Sequence, residues 1–151
     1  MQMTRKWPRW HSGKGGEIRV PANRFRQAAD ERWKDARCLH ESRRYEGAIY
    51  LCGYVLECFL KFAHCELRNL RCMDLREAKR LGHDLNAWLD ACGLGPALRK
   101  SRDLEVAFAR INNRWAPEMR YSGMIGDERS SASFLQDTKD LRNWLQTQLR
   151  R

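Results

Sequence analysis

The apolar positions of this chain are densest in the segment Arg44–Leu67, which contains an uncharged run over Gly47–Leu56. On a helix, its apolar residues would cover most of the circumference: Ile49, Leu51, Cys52, Val55, Leu56, Phe59, Leu60 and Phe62. A helix that is apolar nearly all round is typical of the buried centre of a bundle. Glu57 and Lys61 interrupt the run, and a membrane span needs ~20 predominantly apolar residues. We therefore expect a core helix and no membrane partner.

One glycine, Gly53, lies in the middle of this predicted core helix. A glycine inside a helix is less favourable than an alanine by ~1 kcal/mol. We expect that a neighbouring helix approaches closely at Gly53, where a side chain would obstruct the contact.

Amphipathic segments flank the core helix on both sides. Before it, apolar residues at helical spacing predict a first helix from Pro21 to about His40–Glu41: Phe25, Ala29, Trp33, Ala36 and Leu39. Near the C-terminus, a second stripe predicts a long closing helix: Phe134, Leu135, Thr138, Leu141, Leu145 and Leu149. Ser131 or Ser133 is the expected N-cap of the closing helix.

Shorter helices are predicted between the long ones. Asp74 and Asp84 have the sequence context of N-caps, and Gly82 and Gly93 are expected to end the helices that follow them. A further helix is predicted over 95–111. The fold class is therefore all-α: a helical bundle with two long antiparallel N-terminal helices, short middle helices and a long C-terminal helix. No strand is predicted.

The length of 151 residues predicts one domain, with residues 21–151 forming the bundle and residues 1–20 a basic N-terminal arm. Arg5, Arg9 and Trp10 of the arm are candidates for RNA contacts, because cations between aromatic side chains suit stacking on unpaired bases. In the alternative interpretation, the tryptophans of the arm dock on the bundle or on a second subunit.

Charge and cysteine content restrict the partners and the compartment. Lys and Arg number 29 against 19 Asp and Glu, and the formal net charge of +10 favours anionic partners, with nucleic acid first. An inert basic surface or an acidic protein partner is the alternative. The six cysteines form no CxxC pair and follow no signal peptide, which favours reduced thiols and a cytoplasmic location. A zinc site of Cys58, His64, Cys65 and Cys72 would match no standard spacing, so no metal or cofactor is expected.

Three parts of the chain together resemble the HEPN family, whose name stands for higher eukaryotes and prokaryotes nucleotide-binding. The core helix resembles the second-helix signature of that family: Arg44-Tyr45, Ala48, Tyr50-Leu51, Gly53-Tyr54, Glu57 and Leu60-Lys61. The family's short-helix signature is similar to Gly82-His83-Asp84-Leu85 with Leu89. Its C-terminal third is similar to Trp115 and Arg120-Tyr121 followed by a long amphipathic helix. The resemblance extends from Pro21 to the end of the chain.

This resemblance implies a helical bundle that pairs as a homodimer and has RNA, or a nucleotidyltransferase-type or other protein, as its partner. Many members are ribonucleases of toxin–antitoxin, CRISPR or abortive-infection systems. Their catalytic motif is an Arg followed by a His one to two helical turns later, near the start of the last long helix. No histidine follows His83 in this chain. The resemblance therefore implies a non-catalytic RNA- or partner-binding member of a prokaryotic defence or toxin–antitoxin system.

Two displaced Arg/His pairs keep an enzymatic alternative open. Six residues separate Arg76 from His83, although Gly82 should break the helix between them, and five separate Arg5 from His11 in the arm. Metal-free RNA cleavage needs a ribose 2′-hydroxyl as nucleophile, a His that moves its proton and an Arg that holds the phosphate. The alternative function is a metal-independent endoribonuclease with Arg76 and His83 as its catalytic residues.

Polar residues beside the apolar core are the remaining candidates. Glu57 needs a partner on a buried helix, and either Lys61, one turn later, or Arg120, from the long loop over 114–129, can supply one. In the functional interpretation, Glu57, Lys61, Arg120 and Tyr121 surround a ligand or an RNA phosphate. In the structural interpretation, Glu57 and Arg120 form a buried strut that holds the loop. A third hypothesis for the whole protein is a structural adaptor whose apolar helix faces join a larger complex.

Overall fold

The computed structural model describes residues 18–121 and 126–150, and most of these residues lie in helices. The predicted all-α bundle is confirmed, with two long N-terminal helices, short middle helices and a long C-terminal helix. Within the described ranges there are seven α-helices: α1 (Ala22–Glu41), α2 (Tyr45–Leu67), α3 (Leu75–Leu81), α4 (Leu85–Cys92), α5 (Gly95–Leu98), α6 (Arg102–Arg114) and α7 (Glu128–Leu149). The remaining elements are shorter: a 3-10 helix (Pro117–Arg120) and the strands β1 (Arg19–Pro21) and β2 (Cys72–Asp74).

The long helices α1, α2 and α7 form the centre of the bundle, and contacts between side chains fix their directions. His40 near the end of α1 lies 2.7 Å from the hydroxyl of Ser131 near the start of α7. Asp30 in the middle of α1 pairs with Arg142 in the second half of α7. α1 and α7 are therefore antiparallel. α1 and α2 are also antiparallel, because only residues 42–44 connect them.

Burial is deepest along α2, as its uncharged sequence predicts. Thirteen of its 23 residues are buried, more than in any other helix. By length and mean hydropathy α2 could cross a membrane, but 72% of its most apolar window is buried inside the bundle. Such burial is typical of the core helix of a bundle. The absence of a membrane partner stays a prediction.

The short strands β1 and β2 pair in an antiparallel sheet that the sequence pattern did not predict. Val20 lies opposite Met73, and both side chains are buried. The expectation of no strand is wrong because each strand has three residues, too few to show the alternation by which a strand is identified. Residues 18–20 of the predicted arm therefore pair with the bundle.

Two short helices begin and end at the predicted residues. The carboxylates of Asp74 and Asp84 accept backbone N–H bonds at the starts of α3 and α4. Gly82 and Gly93 end these helices with φ angles of 58° and 69°, which favour glycine.

Two other helix boundaries differ from the prediction. The helix expected over 95–111 is divided, because α5 ends at Leu98 and the hydroxyl of Ser101 caps α6. The N-cap of α7 is Asp127, which accepts a bond from the backbone N–H of Ser130 at 2.7 Å. The expected cap Ser131 is instead fully buried within α7, where its hydroxyl contacts α1.

The close neighbour of Gly53 is a tryptophan ring rather than a helix backbone. A Cβ atom placed on Gly53 would lie 2.0 Å from ring atoms of Trp115. Trp115 directly follows α6 and is buried, and its Nε1 donates to the backbone carbonyl of Tyr50 at 2.9 Å. Gly53 thus leaves the space on α2 that the Trp115 ring occupies.

Candidate functional site

A buried carboxylate, Glu57, connects the core helix to the turn between α3 and α4. Its Oε1 accepts a hydrogen bond from Lys61 Nζ at 2.6 Å, and its Oε2 lies 2.8 Å from His83 Nδ1. The side chain of Glu57 is 3% exposed, that of Lys61 13% and that of His83 52%. Both carboxylate oxygens are therefore bound, and His83 is the member of the cluster that solvent reaches.

The local sequence positions each member of this cluster within its own element. Lys61 follows Glu57 by one turn of α2, in the order that favours an ion pair on a helix. Gly82 ends α3 with a positive φ and sets His83 in the turn before α4. Trp88 Nε1 donates to the Gly82 carbonyl at 2.9 Å and holds this turn against the bundle.

Aromatic side chains form one wall of the cluster. The ring of Tyr54, one turn before Glu57 on α2, meets the His83 ring edge-on, with centroids 5.9 Å apart. Tyr54 also contacts the rings of Trp115 and Tyr50, each at a centroid distance of 5.1 Å. Its hydroxyl lies 3.1 Å from that of Tyr50. These contacts position the His83 ring although its side chain is half exposed.

Proton transfer is the chemistry that this arrangement permits. A carboxylate only accepts hydrogen bonds, so His83 Nδ1 carries the hydrogen directed at Glu57, and Nε2 remains as the second ring nitrogen. A carboxylate that orients a histidine in this way is the arrangement found behind general bases. Lys61 is paired and largely buried, so it is poorly placed to bind a phosphate.

The predicted catalytic pair, Arg76 and His83, is divided between two carboxylates. Arg76 in the first turn of α3 pairs with Asp74 at 3.6 Å, whereas His83 pairs with Glu57. Gly82 ends the helix between them, as predicted. The two side chains therefore do not follow one another along one helical face.

Several other predicted site residues lie outside the described part of the chain. These are Arg5, Arg9, Trp10 and His11 of the arm, and the side chain of Arg120 at the end of the 3-10 helix. Interactions predicted for these side chains stay predictions.

Of the partners predicted for Glu57, Lys61 is in contact with Oε1, and Oε2 is bound by His83, which was not among the predicted partners. That contact joins residues 26 positions apart, so no local spacing shows it. The signals that point toward it are the buried carboxylate itself and the helix stop at Gly82. Tyr121, also predicted at this site, follows the 3-10 helix and is 77% exposed.

Burial makes four of the thiols poor nucleophiles and poor metal ligands: Cys52, Cys58, Cys65 and Cys92. Desolvation raises the pKa of Cys52 and Cys92 to about 12, and that of Cys58 and Cys65 to about 11. Only the thiolate form attacks electrophiles or binds metals well. Among residues 18–121 and 126–150, no three His, Cys, Asp or Glu side chains are grouped closely enough to hold a metal ion.

Comparison with known proteins identifies no relative of this chain. No protein family matches the chain, no curated protein matches it, and no solved structure matches its fold. Function is therefore inferred from the geometry and charge of the chain itself.

Proposed function

We propose that this chain is a HEPN-type RNA-binding protein without catalytic activity, which acts as a cytoplasmic homodimer in a prokaryotic defence or toxin–antitoxin system. Its partner is RNA, or a nucleotidyltransferase-type or other protein. The observation that carries this proposal is a concentration of positive charge beside His83. Arg76, Lys79 and Arg80 are all exposed on α3 within five residues of the chain, and His83 follows three residues later.

These residues define a basic surface, which we call the α3 surface: Arg76, Lys79, Arg80 and His83. Within the described ranges, neither Lys79 nor Arg80 has a carboxylate partner. The one acidic residue of α3, Glu77, is directed at the buried His64, with 3.9 Å between its Oε1 and the ring Nε2. The α3 surface thus offers cations that can replace the counterions of a phosphate backbone.

Charge removal from the α3 surface tests this proposal. The variant Lys79→Ala/Arg80→Ala should bind single-stranded RNA more weakly, and its slope of log K against log salt should fall by about 1.4, at ~0.7 for each phosphate contact. The matched control is Arg32→Ala/Lys34→Ala, which removes the same charge from α1, where both cations already pair with carboxylates. Equal losses in both variants, or no RNA binding by the wild type, would contradict the proposal.

A metal-independent endoribonuclease is the second candidate, and the contact between Glu57 and His83 favours it. His83 Nε2 would accept the proton of a ribose 2′-hydroxyl, and Arg76 would hold the phosphate. RNA incubated with the full chain in EDTA distinguishes the two candidates. Cleavage by the wild type that is lost in His83→Ala supports the endoribonuclease. RNA that is bound by the protein and stays intact supports the non-catalytic RNA-binding protein.

The adaptor hypothesis depended on the apolar faces of α2. These faces pack against the other helices of the same chain, and 72% of the most apolar window is buried. The adaptor hypothesis stays a prediction, and a stable hetero-complex indifferent to RNA would support it.

A further inference from the structure

A groove of about 400 Å³ runs between the second half of α1 and the facing part of α7. α1 contributes Trp33, Arg37 and His40, which share one face because they are spaced by about one helical turn. α7 contributes Lys139 and Arg142 from the opposite side. None of the described residues that line this α1–α7 groove is acidic.

The walls of the α1–α7 groove are held in place by contacts between the two helices. Asp30 on α1 pairs with Arg142 on α7. The His40 ring lies 2.7 Å from the hydroxyl of Ser131, and Ser131 is fully buried in the core. Because both contacts join α1 to α7, the fold itself sets the positions of the groove walls, and binding adds little cost of ordering.

The cations of the α1–α7 groove are available to an anionic ligand. Arg37 and Lys139 are exposed, and neither has a carboxylate partner in the part of the chain that the structure describes. Arg142 already pairs with Asp30, and its Nε, which has no acceptor among the described residues, is buried away from solvent. The two cations without carboxylate partners, Arg37 and Lys139, suit the oxygens of a phosphate.

Trp33 adds an aromatic surface to the basic lining of the groove. It belongs to the apolar stripe predicted for α1, yet it is half-buried and lines the groove, whereas Ala29 and Ala36 on the same helix are fully buried. An indole partly open to solvent beside cations is the arrangement on which an unpaired base stacks. The groove volume is near the lower end of the ~300–1,000 Å³ typical of ligand pockets, so it suits one small unit rather than a large ligand.

We propose that the α1–α7 groove binds one nucleotide unit of a single-stranded nucleic acid, with the base on Trp33 and the adjacent phosphates on Arg37 and Lys139. A duplex is a poor ligand because its bases stack on one another and leave no face for the indole. The site shares no residue with the α3 surface. It rests on the proposed function only in requiring that the chain binds nucleic acid.

Binding of a labelled single-stranded RNA to the full chain tests this site. Trp33→Ala should weaken binding by about tenfold or more, since a base loses its stacking partner, and Trp33→Phe should retain most of the affinity. Arg37→Ala/Lys139→Ala, which changes two exposed side chains, should lower the salt slope by about 1.4. The control Arg32→Ala/Lys34→Ala should leave both quantities nearly unchanged. Circular dichroism confirms that each variant is folded.

Competition and crosslinking separate the possible occupants. A single-stranded DNA of the same sequence is the first competitor. If it binds as tightly as the RNA does, the groove is a general site for single strands; if it binds more weakly, the groove is an RNA site. Crosslinking of an RNA that carries 4-thiouridine should label peptides from α1 or α7.

Three results would contradict the proposal that the α1–α7 groove binds a nucleotide. If the wild type binds no nucleic acid, both the groove and the proposed function are wrong. If only Lys79→Ala/Arg80→Ala weakens binding, the proposed function stands and the groove is wrong. If duplex or polyglutamate competes as well as single strands do and Trp33→Ala has no effect, the groove is a surface for other anionic partners.

Discussion

Replacement of Gly53 by alanine is expected to destabilise this protein, although alanine is the better helix former. In an unobstructed helix the exchange would raise the free energy of unfolding by ~1 kcal/mol. In this protein the new Cβ atom would lie 2.0 Å from ring atoms of Trp115. Carbon atoms at rest are ~3.5–4.0 Å apart, so the indole has to move by more than about 1 Å.

Movement of the Trp115 ring has two costs. It breaks the hydrogen bond from Nε1 to the carbonyl of Tyr50, a net loss of ~1 kcal/mol. Overpacking of a well-packed core costs a further ~1–3 kcal/mol. Against the gain of ~1 kcal/mol in helix propensity, the free energy of unfolding should fall by about 1–3 kcal/mol. Complete expulsion of the indole sets the upper limit at ~4–6 kcal/mol, from ~150–250 Å² of buried area.

Urea unfolding of matched variants measures this effect. Gly47→Ala on the same helix is the control, because its nearest neighbour is a terminal methyl of Leu39 at 3.1 Å, which can move. We expect Gly47→Ala to be neutral or stabilising. In a Trp115→Leu background, Gly53→Ala should lose most of its penalty, since the obstructing ring is gone. A Gly53→Ala protein as stable as the wild type, or an equal effect in both backgrounds, would refute the reasoning.

Three further predictions concern buried polar groups. Glu57→Gln should lower the free energy of unfolding by about 3 kcal/mol, because Lys61 would stay largely buried without a carboxylate; urea unfolding measures this, and an unchanged midpoint would contradict it. Arg110→Ala should lower the free energy of unfolding by about 2 kcal/mol, because it leaves Asp137 buried and unpaired; this figure is already reduced because the guanidinium is half exposed. Asp137→Asn in the same background should recover part of that loss, and no recovery would count against a charge effect. The folded-state pKa of Cys52 is about 12 against an ordinary 9.0, so above about pH 9 the folded state binds more protons than the unfolded state. The free energy of unfolding should therefore fall between about pH 9 and 12, by up to ~1.4 kcal/mol per pH unit for this thiol. Cys52→Ala should reduce that slope, and an unchanged slope would mean that another group causes it.

Local patterns were sufficient to predict most of the fold. The uncharged run of α2 identifies the core helix, and the spacing of Asp74 before a helix and Gly82 after it locates α3. The paired strands escaped prediction because their contact joins residues that lie far apart in the chain, such as Val20 and Met73. No periodicity within three residues reports such a pairing.

The candidate site was predictable in part, for the same physical reason. A carboxylate on a buried helix requires partners, so Glu57 and its neighbour Lys61 are identifiable from the sequence. The contact with His83 depends on how α3 and α4 pack against α2, which no local spacing encodes. Trp33 falls in the apolar stripe of α1, and only the position of α7 shows that the indole lines a groove.

The central claim, that the chain binds RNA through its excess positive charge, is tested most directly by equilibrium binding at several salt concentrations. Full-length protein and a single-stranded RNA would be titrated in EDTA between about 50 and about 200 mM salt, with the length of the RNA checked after each titration. The proposal predicts intact RNA and a log–log slope of several times ~0.7, since several phosphates contact Lys and Arg side chains. Binding that does not change with salt, or no binding at the lowest salt, would contradict it.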